Sequence, residues 1–377
     1  MLLCYSIMAD KKRQKLSEDD VVTPAATASD GGTQKAYEEL CELLQESETL
    51  SDGNIDEVLE GIQSLLERYP QLFRMRDQEG NLPIHLACLD CKCPAGVVQF
   101  LLDKWPDSAH ETNLAGCLPI HQCYFEGTTP QEDVMQLIVA AYPDGILCSA
   151  DEYESPMAYA ADDHGGGFWD NQTDILKLMA ETYIRHHHHH HDHREKINQF
   201  FMQFGMETHN EVALPVAESF SNVYPNFCRQ EMDAVGTGLP LHRLAAYGYV
   251  EPDVLQAWID MYPESIELLN NPRDCQTPLH VFLNNRESEA WDCVDVLCNS
   301  TVLQTKDSNG RLPLHLACQR ITKGYHRDRL YANFVRGFPA SLVSTDKDGN
   351  TPLMLACQSN LDVNVIYFLL RNSPSTW

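Results

Sequence analysis

The segment Gly80-Asn81-Leu82-Pro83-Ile84-His85-Leu86-Ala87-Cys88 sets an imidazole three residues from a thiol, close enough on one helical turn for a base to activate a nucleophile. The adjoining run Cys88-Leu89-Asp90-Cys91-Lys92-Cys93 has the form of half a zinc site. A tetrahedral zinc needs four ligands, and no matching Cys or His pair stands elsewhere to supply the other two. A third cluster, His186–His191 with His193, offers imidazole nitrogens that suit zinc, nickel or copper. It supports a metal-responsive protein as an alternative function, although a tolerated expansion in a solvent loop explains it more simply. Asp162-Asp163-His164, beside Gly165-Gly166-Gly167, offers carboxylates to a cation, but a solvated loop accounts for it more simply.

The elements that must position these groups are repeats. LPIH at Leu82–His85 returns as LPIH at Leu118–His121, LPLH at Leu239–His242, TPLH at Thr277–His280 and LPLH at Leu312–His315. SPMA at Ser155–Ala158 and TPLM at Thr351–Met354 are weaker copies, and successive spacings are 36, 37, 84, 38, 35 and 39 residues. An aromatic-Pro pair keeps the same beat at Tyr69, Trp105, Tyr142, Tyr224, Tyr262 and Phe338. Two phrases in lockstep define an array of one unit. One histidine per unit, at His85, His121, His242, His280 and His315, is therefore a structural device rather than five catalytic sites. Cys88, Cys318 and Cys357 share a repeat position and read as small core residues.

Each unit can be assembled from its residues. Asp77-Gln78-Glu79-Gly80, Asp307-Ser308-Asn309-Gly310 and Asp346-Lys347-Asp348-Gly349 are turns, with Asp bonding its own backbone and Gly admitting positive φ. Proline three residues on suits the first helical position. A short helix with Ala-Cys or Ala-Ala on its packing face follows, then a second helix with apolar residues at helical spacing. Aromatic-Pro stops that helix, because the residue before proline is pushed out of the α region. Such a pair cannot bury its own apolar face, so the units must stack.

This pattern resembles the ankyrin repeat, whose signature is a β-turn, Thr-Pro-Leu-His-x-Ala and a helix pair. The resemblance covers residues 36–377 and implies an all-α, ankyrin-type α-solenoid of helix-turn-helix units joined by turns or hairpin loops. It departs from the family in its 35–39-residue units, in the aromatic-Pro ending, and in Leu at 82, 118, 239 and 312, which rules out a Thr–His side-chain bond there. The expected layout is a disordered segment over 1–35, a capping helix pair over 36–76, and repeats over 77–112, 113–150, 151–187, 188–232, 233–270, 271–306, 307–345 and 346–377. Residues 36–60 hold nine acids and no base, with Leu40, Leu43 and Leu44 on one face, as a water-facing cap requires. Tyr183-Ile184 is expected to end a unit with Ile in place of Pro. Arg185–His193 then reads as an extended loop ahead of helices near 202–208 and 212–223.

The resemblance implies a non-catalytic scaffold or adaptor that recognises a protein partner through a concave face of turn tips and first helices. Positions one, four and five after the motif histidine point into that groove, giving Leu86, Leu89, Gln122, Phe125, Tyr159, Asp162, Arg243, Tyr247, Gln319 and Arg320. A formal charge of -28 argues against nucleic acid and against anionic membranes, both of which need a cationic surface. No phosphate-cradling glycine loop, nucleophile elbow or HExxH helix appears, so no enzyme activity and no cofactor are expected. Fourteen irregularly spaced cysteines in 377 residues do not make a disulfide scaffold. The expected protein is a cytoplasmic monomer, with nuclear entry left open by Lys11-Lys12-Arg13-Gln14-Lys15.

Overall fold

The computed structural model describes residues 31–46, 55–89, 93–124, 130–150, 154–161, 171–188, 194–205, 210–230, 238–247, 250–285, 292–320 and 327–373. Its helices fall into two compact units, Met1–His186 and His187–Trp377. In the first, α1 (Gly31–Glu46) and α2 (Ile55–Arg68) precede the pairs α3 (Pro83–Cys88) with α4 (Ala95–Lys104) and α5 (Pro119–Gln122) with α6 (Glu132–Ala141). The pair α7 (Pro156–Ala161) with α8 (Gln172–His187) follows. In the second unit, α9 (Arg194–Phe200) runs into a π-helical turn, Phe201–Gly205, and pairs with α10 (Asn210–Val223). Then come α11 (Pro240–Ala246) with α12 (Pro252–Met261), and α13 (Pro278–Asn284) with α14 (Cys293–Val296) and α15 (Ser300–Gln304). The last pairs are α16 (Pro313–Arg320) with α17 (Arg327–Gly337), and α18 (Pro352–Gln358) with α19 (Val363–Asn372). No strand occurs among the described residues.

Stacking is sequential within each unit. First helices pack on first helices, α3 on α5 and α11 on α13 on α16 on α18, while second helices such as α4 and α6, or α10 and α12, form the other layer. The capping pair does the same, with α1 against α3 and α2 against α4. On α1 the buried face is Ala36, Tyr37, Leu40 and Leu44, and Glu38, Glu39 and Glu42 face water. The helix begins at Gly31, inside the segment that composition assigns to disorder.

Aromatic-Pro does more than stop the second helix. The aromatic residue caps it with extended φ, as at Trp105 (φ −146°) and Tyr262 (φ −149°), and proline then opens a 3-10 turn as its first residue. Proline's missing N–H costs nothing there, and its fixed φ is already helical. Where the phrase is missing before α15, Asn299 takes over, its side chain accepting from the Val302 N–H at 2.8 Å. At Tyr183-Ile184 no break occurs. Isoleucine keeps its N–H, so α8 continues through to His187 and the expected loop over Arg185–His193 begins as helix. The next pair opens with α9 at Arg194, eight residues ahead of the position counted back from Tyr224.

The turns are stacked as well. Asp77 Oδ1 accepts from the backbone N–H of Glu79 and Asn81, both at 2.8 Å, and Asp307 and Asp346 repeat the arrangement. Successive turns join by main-chain bonds: Leu114 N–H to Glu79 O (3.0 Å), Ser308 N–H to Asp274 O (2.9 Å) and Lys347 N–H to Asn309 O (2.9 Å). Gly80, at φ 79°, could not carry a side chain, since a Cβ would lie 2.7 Å from Leu114 Cγ. Arg76 braces the same pair of turns, donating to Gly80 O (2.7 Å) and Thr112 O (2.8 Å) while pairing with Glu111 at 2.7 Å.

Candidate functional site

The motif histidine is the third residue of its helix, and its ring reaches back over the helix start. Nδ1 of His85 accepts from the Leu82 backbone N–H at 3.2 Å, one of the orphan donors at a helix start. Its other nitrogen is therefore protonated and donates to Cys117 O in the next turn at 3.1 Å. The same clamp joins His121 to Cys148 O, His242 to Leu268 O, His280 to Arg311 O and His315 to Ser344 O. The missing threonine hydroxyl is thus replaced by the main chain at Leu82, Leu118, Leu239 and Leu312. At Thr277 the hydroxyl itself bonds His280 Nδ1 at 2.8 Å. Burial pushes the His85, His242 and His280 rings down to about 4, against a smaller opposing pull from the carbonyls they bond. They are neutral hydrogen-bonding groups, held away from the range a general base needs at neutral pH.

The cysteines next to these rings are not nucleophiles. Cys88 and Cys318 are fully buried, and burial pushes the Cys318 thiol up, away from the reactive thiolate. Cys357, expected in the core, is exposed, because among the described residues no helix pair follows α18 and α19 to cover it. Cys91 lies outside the described residues. None of the described cysteines is in a disulfide.

The histidine tract is split. His186 and His187 are the last residues of α8, and His187 is 0% exposed, so part of the tract belongs to the helix core rather than to a solvent loop. His188 packs its ring 5.4 Å from that of Tyr224. His189, His190, His191 and His193 lie outside the described residues, and no group of three or more metal-ligating side chains occurs among those described.

The predicted groove positions also divide. Tyr247 is 37% exposed and Gln319 is exposed, while Leu86, Leu89, Tyr159 and Arg243 are half-buried. Tyr159 packs against Tyr124 with ring centroids 5.3 Å apart and the rings tilted by 51°. Gln122 is a correction: at 3% exposed it lies inside, since α5 is a single short turn that draws its last residue into the stack. Phe125 and Asp162 lie outside the described residues, as does the side chain of Arg320. Sequence reasoning missed three exposed leucines, Leu114 inside a turn and Leu268 and Leu269 just ahead of one. The signal at Leu114 was an apolar residue between Asn113 and Gly116.

Charge divides between the proline-opened first helices and the second helices. The seven first helices that open on proline contain no Asp or Glu. The second helices expose Asp103, Glu132, Asp133, Asp174, Asp253 and Asp260 to water. Among the described residues no helix is long and apolar enough to cross a membrane.

Stacked pairs of one short and one longer helix, joined by hydrogen-bonded turns, define an all-α repeat protein. The ankyrin repeat family model matches residues 348–375, the last turn and the pair α18 and α19, and the regular helix pairs ahead of it are consistent with further repeats. The chain carries an ankyrin repeat at residues 348–375, within a stack of similar helix pairs. No curated protein matches the chain at a significant level.

Proposed function

We propose that this chain is a non-catalytic scaffold that holds a protein partner on the face made by its turn tips and first helices. The observation that carries this reading is the charge partition. In a chain of formal charge -28, the seven first helices that open on proline carry no acid and, with their C-caps, present Leu86, Leu89, Tyr159, Arg243, Tyr247 and Gln319 instead. Aromatic, aliphatic and arginine side chains of this kind dominate interface energetics, and an acidic protein has no solubility reason to keep these seven helices free of acid. Ankyrin repeats generally mediate protein–protein contacts, which supports the same assignment. The partner is engaged by a monomer, without cofactor, inside the cell, where unbridged cysteines persist.

Photo-crosslinking side chains placed at Leu89, Tyr247 and Gln319 of the full chain, in its native cell, test the face. Cross-links to one protein from these positions, and none from Asp103 or Asp260, are expected. Capture from the second-helix positions alone would refute the assignment.

A further inference from the structure

The second helices α4, α6, α12 and α19 each have ten residues, so they compare position by position. In α4, α6 and α12 the third, fourth, seventh and eighth residues are buried, as Val97, Val98, Leu101 and Leu102 are in α4. The fifth is an exposed glutamine, Gln99, Gln136 or Gln256. Gln99 and Gln256 donate to Asp103 and Asp260, the ninth residues, both at 2.7 Å. α19 breaks this pattern on its outer side. Its first residue, Val363, is 76% exposed, its fifth, Tyr367, is 62% exposed, and its ninth is Arg371. Ile366 and Leu370, at the fourth and eighth positions, are only half-buried. Val363, Ile366, Tyr367 and Leu370 thus form a second apolar stripe at helical spacing, beside the buried Val365 and Leu369. A helix apolar on all sides is normally covered on all sides. Met354 and Cys357 of the neighbouring α18 are exposed as well.

We infer that this stripe is the contact through which two copies of the chain pair, α19 against α19 about a two-fold axis at Tyr367. Charge selects the occupant. Two copies of formal charge -28 repel each other wherever their acids meet. α4, α6 and α12 each hold at least one acid, whereas α18 and α19 hold none. Here a second copy can approach without that penalty. The stripe is also self-complementary, as an isologous contact must be. Tyr367 lies midway between Val363 and Arg371, so in an antiparallel pair it meets its own counterpart. The aliphatic stem of each Arg371 then covers Val363 of the other copy, with its charged head left in water. The stripe lies on the outer side of a second helix. The turn tips and first helices therefore stay free, and each copy engages its own partner singly.

The test transplants the outer stripe of α6 onto α19 in the full chain. Val363→Glu, Tyr367→Gln and Arg371→Ala together supply what Glu132, Gln136 and Ala140 supply in α6, and all three changes fall at exposed positions. Sedimentation velocity over a concentration series reads the mass. The unaltered chain is expected to approach twice the monomer mass as concentration rises. Added salt should strengthen the pairing, because it screens the acids that oppose it. The triple variant should stay monomeric at every concentration while keeping its helical circular dichroism. Should it lose that signal, Tyr367→Gln alone is read in the same way. A photo-crosslinking side chain at Tyr367 should join two copies of the chain. An unaltered chain that is monomeric throughout, or a dimer that survives the folded variant, overturns the inference. So does cross-linking from Tyr367 to a different protein in place of a second copy.

Discussion

Acid should dismantle this array in a window set by its histidines. Nδ1 of His85 accepts from a backbone N–H, and the protonated ring would point a proton at that same N–H. Protonation therefore costs both the helix cap and the burial of a charge. With folded-state values near 4 for His85, His242 and His280 and an ordinary value of 6.5, each native ring binds fewer protons than its unfolded counterpart between those limits. The sign follows. The stability these rings permit is fully present above pH 6.5, falls as pH drops through the window, and levels off below about 4. Each ring accounts for about 3 kcal/mol at the acid end, at ~1.4 kcal/mol per pH unit of separation. Three such rings amount to about 10 kcal/mol, as much as the whole stability of an ordinary domain. His121 and His315 are lowered in the same direction and add to the loss.

Urea unfolding followed by circular dichroism at a series of pH values measures the effect, with the slope giving the proton uptake. Asp346 does not mimic it. Asp346, held below its ordinary value of 3.8 by hydrogen bonds from Asn350 and Asp348, gives up its contribution at lower pH than the rings do. His280→Gln keeps an acceptor and a donor but cannot titrate, so it should remove about one third of the slope owed to the three deeply lowered rings. A stability flat between neutral pH and about 5, or motif rings titrating near 6.5 by NMR, would refute the neutral-clamp reading.

Three further outcomes can be checked by thermal or urea unfolding. Gly80→Ala should cost ~2 kcal/mol or more, since the new Cβ would enter Leu114 at a positive φ that alanine avoids. Asn299→Ala should cost ~1 kcal/mol by removing the cap of α15, whereas Asn299→Ser should recover most of it. Ile184→Pro should break α8 where aromatic-Pro breaks the other second helices, at ~3 kcal/mol, and a variant of unchanged stability would show that the helix is already interrupted there.

The unit was legible because its signals are local and repeated. Proline at the first helical position, glycine at positive φ and Asp closing its own turn each act within four residues, and seven copies average out the exceptions. What the histidine bonds to was not legible, because its acceptor lies 26 to 32 residues away and is a carbonyl, which every residue owns. Burial of Gln122 was hidden for a related reason. Counting from the motif assumes a first helix as long as its neighbours, and α5 has only four residues. The unit without a motif was misplaced because counting back from Tyr224 assumes a standard length, and the π-helical turn alters it.

The same contrast explains how one repeat pattern tolerates such different residues at its motif position. An imidazole there does two jobs in opposite directions, accepting from its own helix start and donating to the next turn. A threonine or serine hydroxyl can do the first, as Thr351 and Ser155 do, but is too short and badly aimed for the second. Histidine is required only where a unit must be tied forward. Met354 is 52% exposed at such a position, while every motif histidine is buried. An exposed ring there would spend no hydrogen bond and carry no constraint. The ring is therefore found where a carbonyl of the next turn accepts from it, at His85, His121, His242, His280 and His315.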